Sequence, residues 1–328
     1  MKIALRIIFV LSLAAAVLLI GRGGVQSILA LLAKAGCLLV LLLPLHALPL
    51  WLDVLGWRQL IRGPSGVPVL LRIACVREAI NRLLPVANIG GEVIGVRLLA
   101  KSGTGLLPAA ASVVVEVLLT VVSQLIFVGC GAVCLLQVAA AVPIASRVLW
   151  MLVATLPALA LLIALVRNGR IFTLFGRIAE GALGRIVGGG GAIGAGSALD
   201  AAVRELLTSH GPCLRAIAWQ VLGLLAGCTE TWVVLRWFGH PVGFAAAIAL
   251  ESVTQAARQL IFFVPSGLGV QEAGLIGVGQ LLGVDMNVAV ALSLAKRARE
   301  LAFGLPSLAV WQWLEGRRPA HGRIAARD

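Results

Sequence analysis

The chain has 328 residues, of which 60% are hydrophobic and only 12% charged, with a mean hydropathy of +1.03; soluble domains carry about 25% charged residues. That composition excludes an ordinary soluble domain and indicates an integral membrane protein, since several apolar stretches reach the roughly 20 residues that a crossing needs. The net charge of +13 does not indicate nucleic acid, because the basic residues are scattered between apolar runs without the aromatic interleaving of a stacking surface.

Taken in chain order, "MKIALRIIFVLSLAAAVLLIGRGG" has the charged start and apolar run of a signal peptide, but no soluble domain follows. An uncleaved first span at about residues 3–20 is expected. A second span follows at 35–57. Residues 67–101 are long enough to enter the membrane, yet they carry charges and are broken by Pro85, Gly90 and Gly91. Spans at 107–136 and 144–166 come next. Beyond them Ile171, Leu174, Phe175, Ile178, Ala182 and Ile186 form one helical stripe, with Arg170, Arg177 and Arg185 elsewhere on the surface, so a cytoplasmic interfacial helix is expected within the 167–211 linker. The run Gly188 to Gly191 is followed by no GK[ST] and preceded by no strand, which makes it a flexible connector rather than a phosphate loop. A span at 214–237 precedes a second broken region, 247–282, which contains Pro265, Gly267 and Gly269. The last span is expected at 287–313, followed by a short basic tail, 315–328.

The expected fold class is therefore an all-α polytopic membrane protein with six full spans and two re-entrant, Pro/Gly-broken helical hairpins. Eight spans result if the broken segments cross fully. Such breaks free backbone groups at depth, which is tolerated only where protein or a wet cavity shields them from lipid. Residues 1–314 form a single polytopic domain. Most of the 27 Lys and Arg, including Arg58, Arg62, Arg72, Arg77, Arg82, Arg97 and Lys101, fall on the cytoplasmic side of a six-span topology with both termini inside, in keeping with the positive-inside rule.

The six cysteines, Cys37, Cys75, Cys130, Cys134, Cys213 and Cys228, lie in or beside apolar runs, with no CxxC pair and no His/Cys cluster at zinc spacing. Neither a disulfide framework nor a metal or other cofactor is expected.

An offset of 180 residues brings the two broken segments into register: Pro85 onto Pro265, Glu92 onto Glu272, Gly103 onto Gly283, with Trp57 onto Trp237 further upstream. Two repeats, about 1–136 and about 144–314, are expected. Each crosses the membrane an odd number of times, so the copies must be inverted, an arrangement in which half-helices meet near the bilayer midplane. The same register sets Glu116 opposite Lys296. A charge at that depth costs roughly 2.5–3.5 kcal/mol on the insertion scale, so each needs a partner. Two arrangements remain open: Glu116 pairs with Lys296 or Arg297 across the repeats, or Lys296 pairs with Glu300 at i, i+4 while Glu116 meets water with Thr120 and Gln124.

At "NRLLPVANIGGEVIGVRLLAKSG" and "FFVPSGLGVQEAGLIGVGQLLG" the sequence resembles the membrane region of lysylphosphatidylglycerol synthases, a flippase-like family, and within it the stand-alone hopanoid-biosynthesis-associated members. The resemblance covers nearly the whole chain. It implies a multi-pass protein of the bacterial cytoplasmic membrane connected with moving lipid between leaflets. The aminoacyl transfer of the full-length synthases belongs to a separate soluble domain and is not carried over, and nothing in the residues reads as a hopanoid pocket.

Three functions are weighed. A lipid translocase for phospholipids or hopanoids would use Asn88, Glu92, Glu116, Gln271, Glu272, Lys296 and Arg297 as a polar path for the head group, with Arg97 and Lys101 at a cytoplasmic mouth suited to phosphate. An intramembrane enzyme would use Glu92 or Glu272 as acid or base, but no nucleophile or metal set accompanies them. His46, His210, His240 and His321 form no motif, and the chain has no Tyr. A scaffold would hold lipid-biosynthesis enzymes through the basic linker and tail. Glu230 and Glu251 are further polar candidates, whereas Asp53, Glu78 and Arg258 are expected at interfaces, snorkelling.

Overall fold

A computed structural model describes residues 25–84, 90–138, 191–260 and 269–316, together with Ala164. The expected spans at 3–20 and 144–166 (Ala164 apart), the interfacial helix, Pro85, Asn88, Pro265, Gly267 and the tail beyond Gly316 lie outside the described residues. Within them every regular element is helical. In chain order these are α1 (Val25–Ala35), a 3₁₀ turn (Gly36–Leu41), α2 (Leu42–Arg58), α3 (Val67–Leu83), α4 (Gly90–Leu99), a π turn (Ala100–Thr104), α5 (Leu106–Val138), α6 (Gly191–Thr208), α7 (His210–Trp237), α8 (Phe244–Leu260), α9 (Val270–Leu281) and α10 (Met286–Gly316).

Three segments among the described residues are long and apolar enough to cross a membrane: Gln26–Arg58, Leu106–Val138 and His210–Trp237. The last two match the sequence expectation closely. The first starts earlier than the expected 35–57, because the chain stays helical through Lys34 and the 3₁₀ turn that joins α1 to α2. Lys34 is exposed, as a long cationic side chain within an apolar segment should be. The expected 287–313 span is the helix α10, but Lys296, Arg297, Arg299 and Glu300 near its middle keep it out of the purely apolar class.

Both broken regions divide as the sequence suggests. Helix α3 ends at Leu84, whose backbone is extended (φ −107°, ψ 145°), because the following proline disfavours the helical conformation in the residue before it. The chain resumes as α4, and α3 and α4 pack against each other. Helices α8 and α9 form the second such pair. The offset of 180 residues holds at the level of the elements: Gly90, which opens α4, maps onto Val270, which opens α9, and Leu106 of α5 maps onto Met286 of α10. Gly103 and Gly283 also correspond, and both take positive φ, 97° and 75°, a left-handed turn that side-chain-bearing residues resist.

Packing between the halves is reciprocal. Helix α3 lies on α10, and α8 lies on α5, so the first helix of each broken pair rests against the long helix that follows the other pair. Helices α2 and α7 pack together extensively. One core cluster joins α1, α2, α7, α9 and α10 through Ile28, Leu42, Leu235, Leu275 and Leu292. A second joins α2 to α5 through Trp57, Leu70, Leu99 and Val113, and a third seats α6 on α5 and α7 through Val203, Val115 and Ala216. Close approach needs small residues: a Cβ on Gly223 of α7 would stand 3.1 Å from the Pro49 carbonyl oxygen of α2, the small-residue contact that lets helices meet where burial alone gives little drive.

Candidate functional site: a buried charge network

The bundle interior holds many charged side chains, and they sit where the two broken pairs meet the long helices. The first group is built from α3. Arg77 and Asn81 are one turn apart and share a face. Arg77 is buried; one of its guanidinium nitrogens contacts Glu92 Oε2 of α4 and the other lies 2.8 Å from Glu116 Oε2 of α5. The guanidinium also lies over the Trp57 ring, 4.6 Å from its centroid, a favourable cation–π position. Asn81 Nδ2 donates to Glu92 Oε1 at 3.3 Å, and Asn81 Oδ1 accepts the Gly91 N–H at 2.9 Å. The first turn of α4 thus closes onto α3, and a Cβ at Gly91 would stand 2.5 Å from the Arg77 carbonyl oxygen. Gly90 and Gly91 therefore belong to the helix start itself: Gly90 opens α4 and Gly91 sets its approach to α3.

The second group lies at the start of α9. Gly269 precedes the helix with φ +79°, and its N–H donates to Glu272 Oε2 at 2.7 Å. The other carboxylate oxygen accepts from Ser293 at 2.9 Å and lies 3.6 Å from Arg297 Nε. Gln271 accepts from Arg258 at 2.7 Å and donates to Ser293 at 3.1 Å. Glu92 and Glu272 each occupy the first turn of a helix, where the helix dipole favours negative charge.

Lys296 contacts Glu251 of α8. Glu251 also accepts from Thr231 of α7 at 2.8 Å and from Gln255 at 3.3 Å, and Gln255 in turn accepts from Gln124 of α5 at 3.2 Å. Neither arrangement left open by the sequence holds. Glu116 takes Arg77 rather than Lys296 or Arg297, and Lys296 takes Glu251 rather than Glu300, because the broken-pair helices bring these partners nearer than the opposite long helix does. It is Arg297, at i, i+3, that pairs with Glu300, at 3.1 Å.

Glu300 is the hub of a third group. Beside Arg297 it has Arg82 at 3.8 Å, Arg299 at 3.9 Å and Arg258 at 4.0 Å. Arg299 also lies 3.2 Å from Glu230 of α7 and contacts His46 Nδ1 of α2. His46 Nε2 faces both oxygens of Glu78, at 2.9 and 3.0 Å. The interfacial, snorkelling placement expected for Glu78 and Arg258 is thus overturned: both are partly buried and both face charged partners inside the bundle.

Glu92 and Glu116 are brought together through Arg77, and Gln271, Glu272 and Arg297 through Ser293 and direct contact. Arg97 and Lys101 stand apart at the exposed end of the first broken pair, 3.5 and 2.8 Å from Glu315 near the end of α10. Sequence reasoning missed Arg77 and Arg82, which were assigned to cytoplasmic loops, and left Arg299 and His46 without a role. A signal existed for the last two. The run Lys296, Arg297, Arg299, Glu300 interrupts a helix long enough to span, and His46 sits inside an apolar run. Ionisable residues at such depth mark functional sites and need partners.

In an apolar body these pairs are held by charge-assisted hydrogen bonds, and a guanidinium that serves several carboxylates can also serve a phosphate, whose oxygens present the same planar recognition geometry. Among the described residues no group of His, Cys, Asp and Glu is arranged to hold a metal ion. No curated protein and no solved structure matches the chain. The family model described as the lysylphosphatidylglycerol synthase TM region matches residues 3–306, nearly the whole chain, and the chain belongs to that family of membrane proteins.

Proposed function

We propose that the protein is a lipid translocase of the cytoplasmic membrane, acting on phospholipids or hopanoids without itself catalysing a covalent reaction. The observation that carries the reading is the internal ladder of exchangeable ion pairs, from Glu116–Arg77–Glu92 to Glu272–Arg297–Glu300, at the first turns of α4 and α9. A head group with a phosphate could take the place of a carboxylate on Arg77 or Arg297 while its chains remain in the bilayer. Each substitution of one anion for another leaves no buried charge unpaired, which lowers the barrier that an apolar core sets against a head group.

We also propose that the two halves are inverted repeats in a six-span topology with both termini in the cytoplasm. This is supported by the common offset of the element starts, the paired left-handed glycines and the reciprocal packing of α3 on α10 and α8 on α5. Inversion opens the first broken pair toward the cytoplasm and the second toward the opposite face, an architecture suited to alternating access at a shared midplane site.

The test is reconstitution into liposomes carrying head-group-labelled phospholipid or a hopanoid analogue, with a membrane-impermeant quencher reporting which leaflet holds the label. Exchange faster than in protein-free vesicles, reduced in Arg297→Gln while the protein stays folded, supports the reading. No exchange of any candidate lipid by folded protein overturns it. Labelling of single cysteines introduced near Glu92 and Glu272 tests the inversion, which requires access from opposite sides.

A further inference from the structure

His46 lies within the apolar segment Gln26–Arg58 and takes no part in the two pairings at the starts of α4 and α9. It nevertheless touches charged groups from three other helices. Glu78 of α3 faces Nε2 at 2.9 and 3.0 Å. Arg299 of α10 contacts Nδ1, and Glu230 of α7 lies 3.9 Å from the same nitrogen. Asp53 is the other titratable side chain of α2, and Glu116, the acidic group of α5, is held by Arg77 instead.

The hydrogen-bond inventory fixes the protonation state of this arrangement. Arginine has only donors and keeps its charge at any accessible pH, so an Arg299 N–H directed at Nδ1 requires Nδ1 to be the unprotonated, accepting nitrogen. The single ring proton then sits on Nε2 and is donated to Glu78. His46 is neutral here, with both nitrogens committed.

We infer that His46 is a reversible proton-binding site whose protonation moves Arg299 between partners. A proton that adds to Nδ1 takes up the lone pair which accepted from Arg299, and that hydrogen bond breaks. The guanidinium keeps all its protons and is repelled by the new imidazolium charge. Its alternative partners are in place: Glu230 at 3.2 Å and Glu300 at 3.9 Å. The imidazolium keeps its bond to Glu78 and gains Glu230 as the anion facing Nδ1.

Access exists on the other side of the ring. A recess is lined by His46, Glu78, Arg82, Glu300, Phe303 and Gly304, and Arg82 at its rim has 36% of its side chain exposed. The Phe303 ring meets the imidazole edge-on, with centroids 5.1 Å apart, and so holds it in the orientation that presents one nitrogen to each charged partner. Because Glu300 also holds Arg297, which faces Glu272, a shift of Arg299 toward Glu300 changes the pairing at the start of α9. Coupling of the proton to lipid movement rests on the translocase reading; the proton site and the Arg299 exchange do not.

The experiment uses full-length protein in lipid nanodiscs, labelled with nitrogen-15 in histidine and arginine and followed by solid-state NMR from about pH 8 to about pH 5, the range in which an ordinary imidazole changes charge. Loss of one signal in His46→Gln assigns His46 among the four histidines. The expected result is a neutral ring protonated on Nε2 at the alkaline end, conversion to imidazolium on acidification, and a shift of the Arg299 side-chain resonance, assigned by Arg299→Lys, with the same midpoint. A ring that stays neutral throughout, one protonated on Nδ1 at the alkaline end, or an Arg299 signal that ignores the titration overturns the inference. In liposomes, an inward or outward pH gradient should alter the wild-type exchange rate and leave that of His46→Gln unchanged. Equal gradient responses in the two proteins overturn the coupling. Absence of all exchange, with the NMR titration intact, overturns the translocase reading and leaves the proton site standing.

Discussion

The two broken pairs are equivalent in register but opposite in sign. Position 116 on α5 is a glutamate and its counterpart on α10, 180 residues later, is Lys296; the first finds a cation on α3 and the second an anion on α8. The supporting groups also differ. Glu116 and Glu92 share one cation, Arg77, whereas Glu251 has Lys296 together with hydrogen bonds from Thr231 and Gln255. The same backbone frame thus carries one centre that depends on a single arginine and another whose anion is supported from several directions.

That difference sets the largest expected effect. Arg77→Met strands two carboxylates among apolar helices, and breaking a buried pair in this way costs about 3–5 kcal/mol. Lys296→Met strands one carboxylate that retains two donors, and the cost should fall to about 2 kcal/mol, in the range for loss of one charged hydrogen-bond partner. Thermal or denaturant unfolding of the purified protein in detergent reads both. Equal losses would mean that the hydrogen bonds from Thr231 and Gln255 do not compensate and that the centres are energetically alike.

Because each charge pairs with its own broken-pair helix, exchanging the two should not help. Glu116→Lys and Lys296→Glu each place like charges together, and the double substitution should be as unstable as the sum of the singles, with a coupling below about 0.5 kcal/mol. A double mutant clearly more stable than that sum would restore a direct pairing of 116 with 296. The backbone equivalence has its own test. Gly103→Ala and Gly283→Ala should each cost about 1–2 kcal/mol, the penalty for a left-handed residue with a side chain, because a Cβ at Gly103 makes only ordinary contact with Pro64 and one at Gly283 meets nothing within 4 Å. Gly277→Ala, in α9 with open space around it, should instead stabilise by about 0.5–1 kcal/mol. Unequal losses at 103 and 283 would show that the two turns are not held alike.

The helical plan was legible because its signals are local. Apolar length defined the segments around 106–138 and 210–237, and proline with glycine marked both breaks, since each acts on the backbone at its own position. The buried polar residues Glu92, Glu116, Glu272 and Lys296 were legible as charges in need of partners, but the partners were not. Arg77 looks from sequence like a loop cation of the positive-inside set, and only the folding of α3 back against α4 brings it between two carboxylates. His46 and Glu230 are 184 positions apart and meet through the packing of α2 on α7. Pairing inside an apolar bundle depends on which helices become neighbours, and in a chain made almost wholly of Leu, Ala, Val and Ile many neighbours satisfy the hydrophobic pattern equally well.

The smallest effect is expected where the same ion-pair chemistry meets water. Lys101 and Arg97 both reach Glu315, at 2.8 and 3.5 Å, but their side chains are 34% and 56% exposed. Solvent screening and side-chain entropy reduce such contacts to about 0–1 kcal/mol, so Lys101→Ala should shift unfolding by less than 1 kcal/mol, a small fraction of the Arg77→Met loss, and raising the salt concentration should erase even that. The charge pair is chemically the same kind as Arg77–Glu116. Only its surroundings differ, so a loss at Lys101 approaching that at Arg77 would mean that this end of α10 is enclosed and that the buried network extends to it.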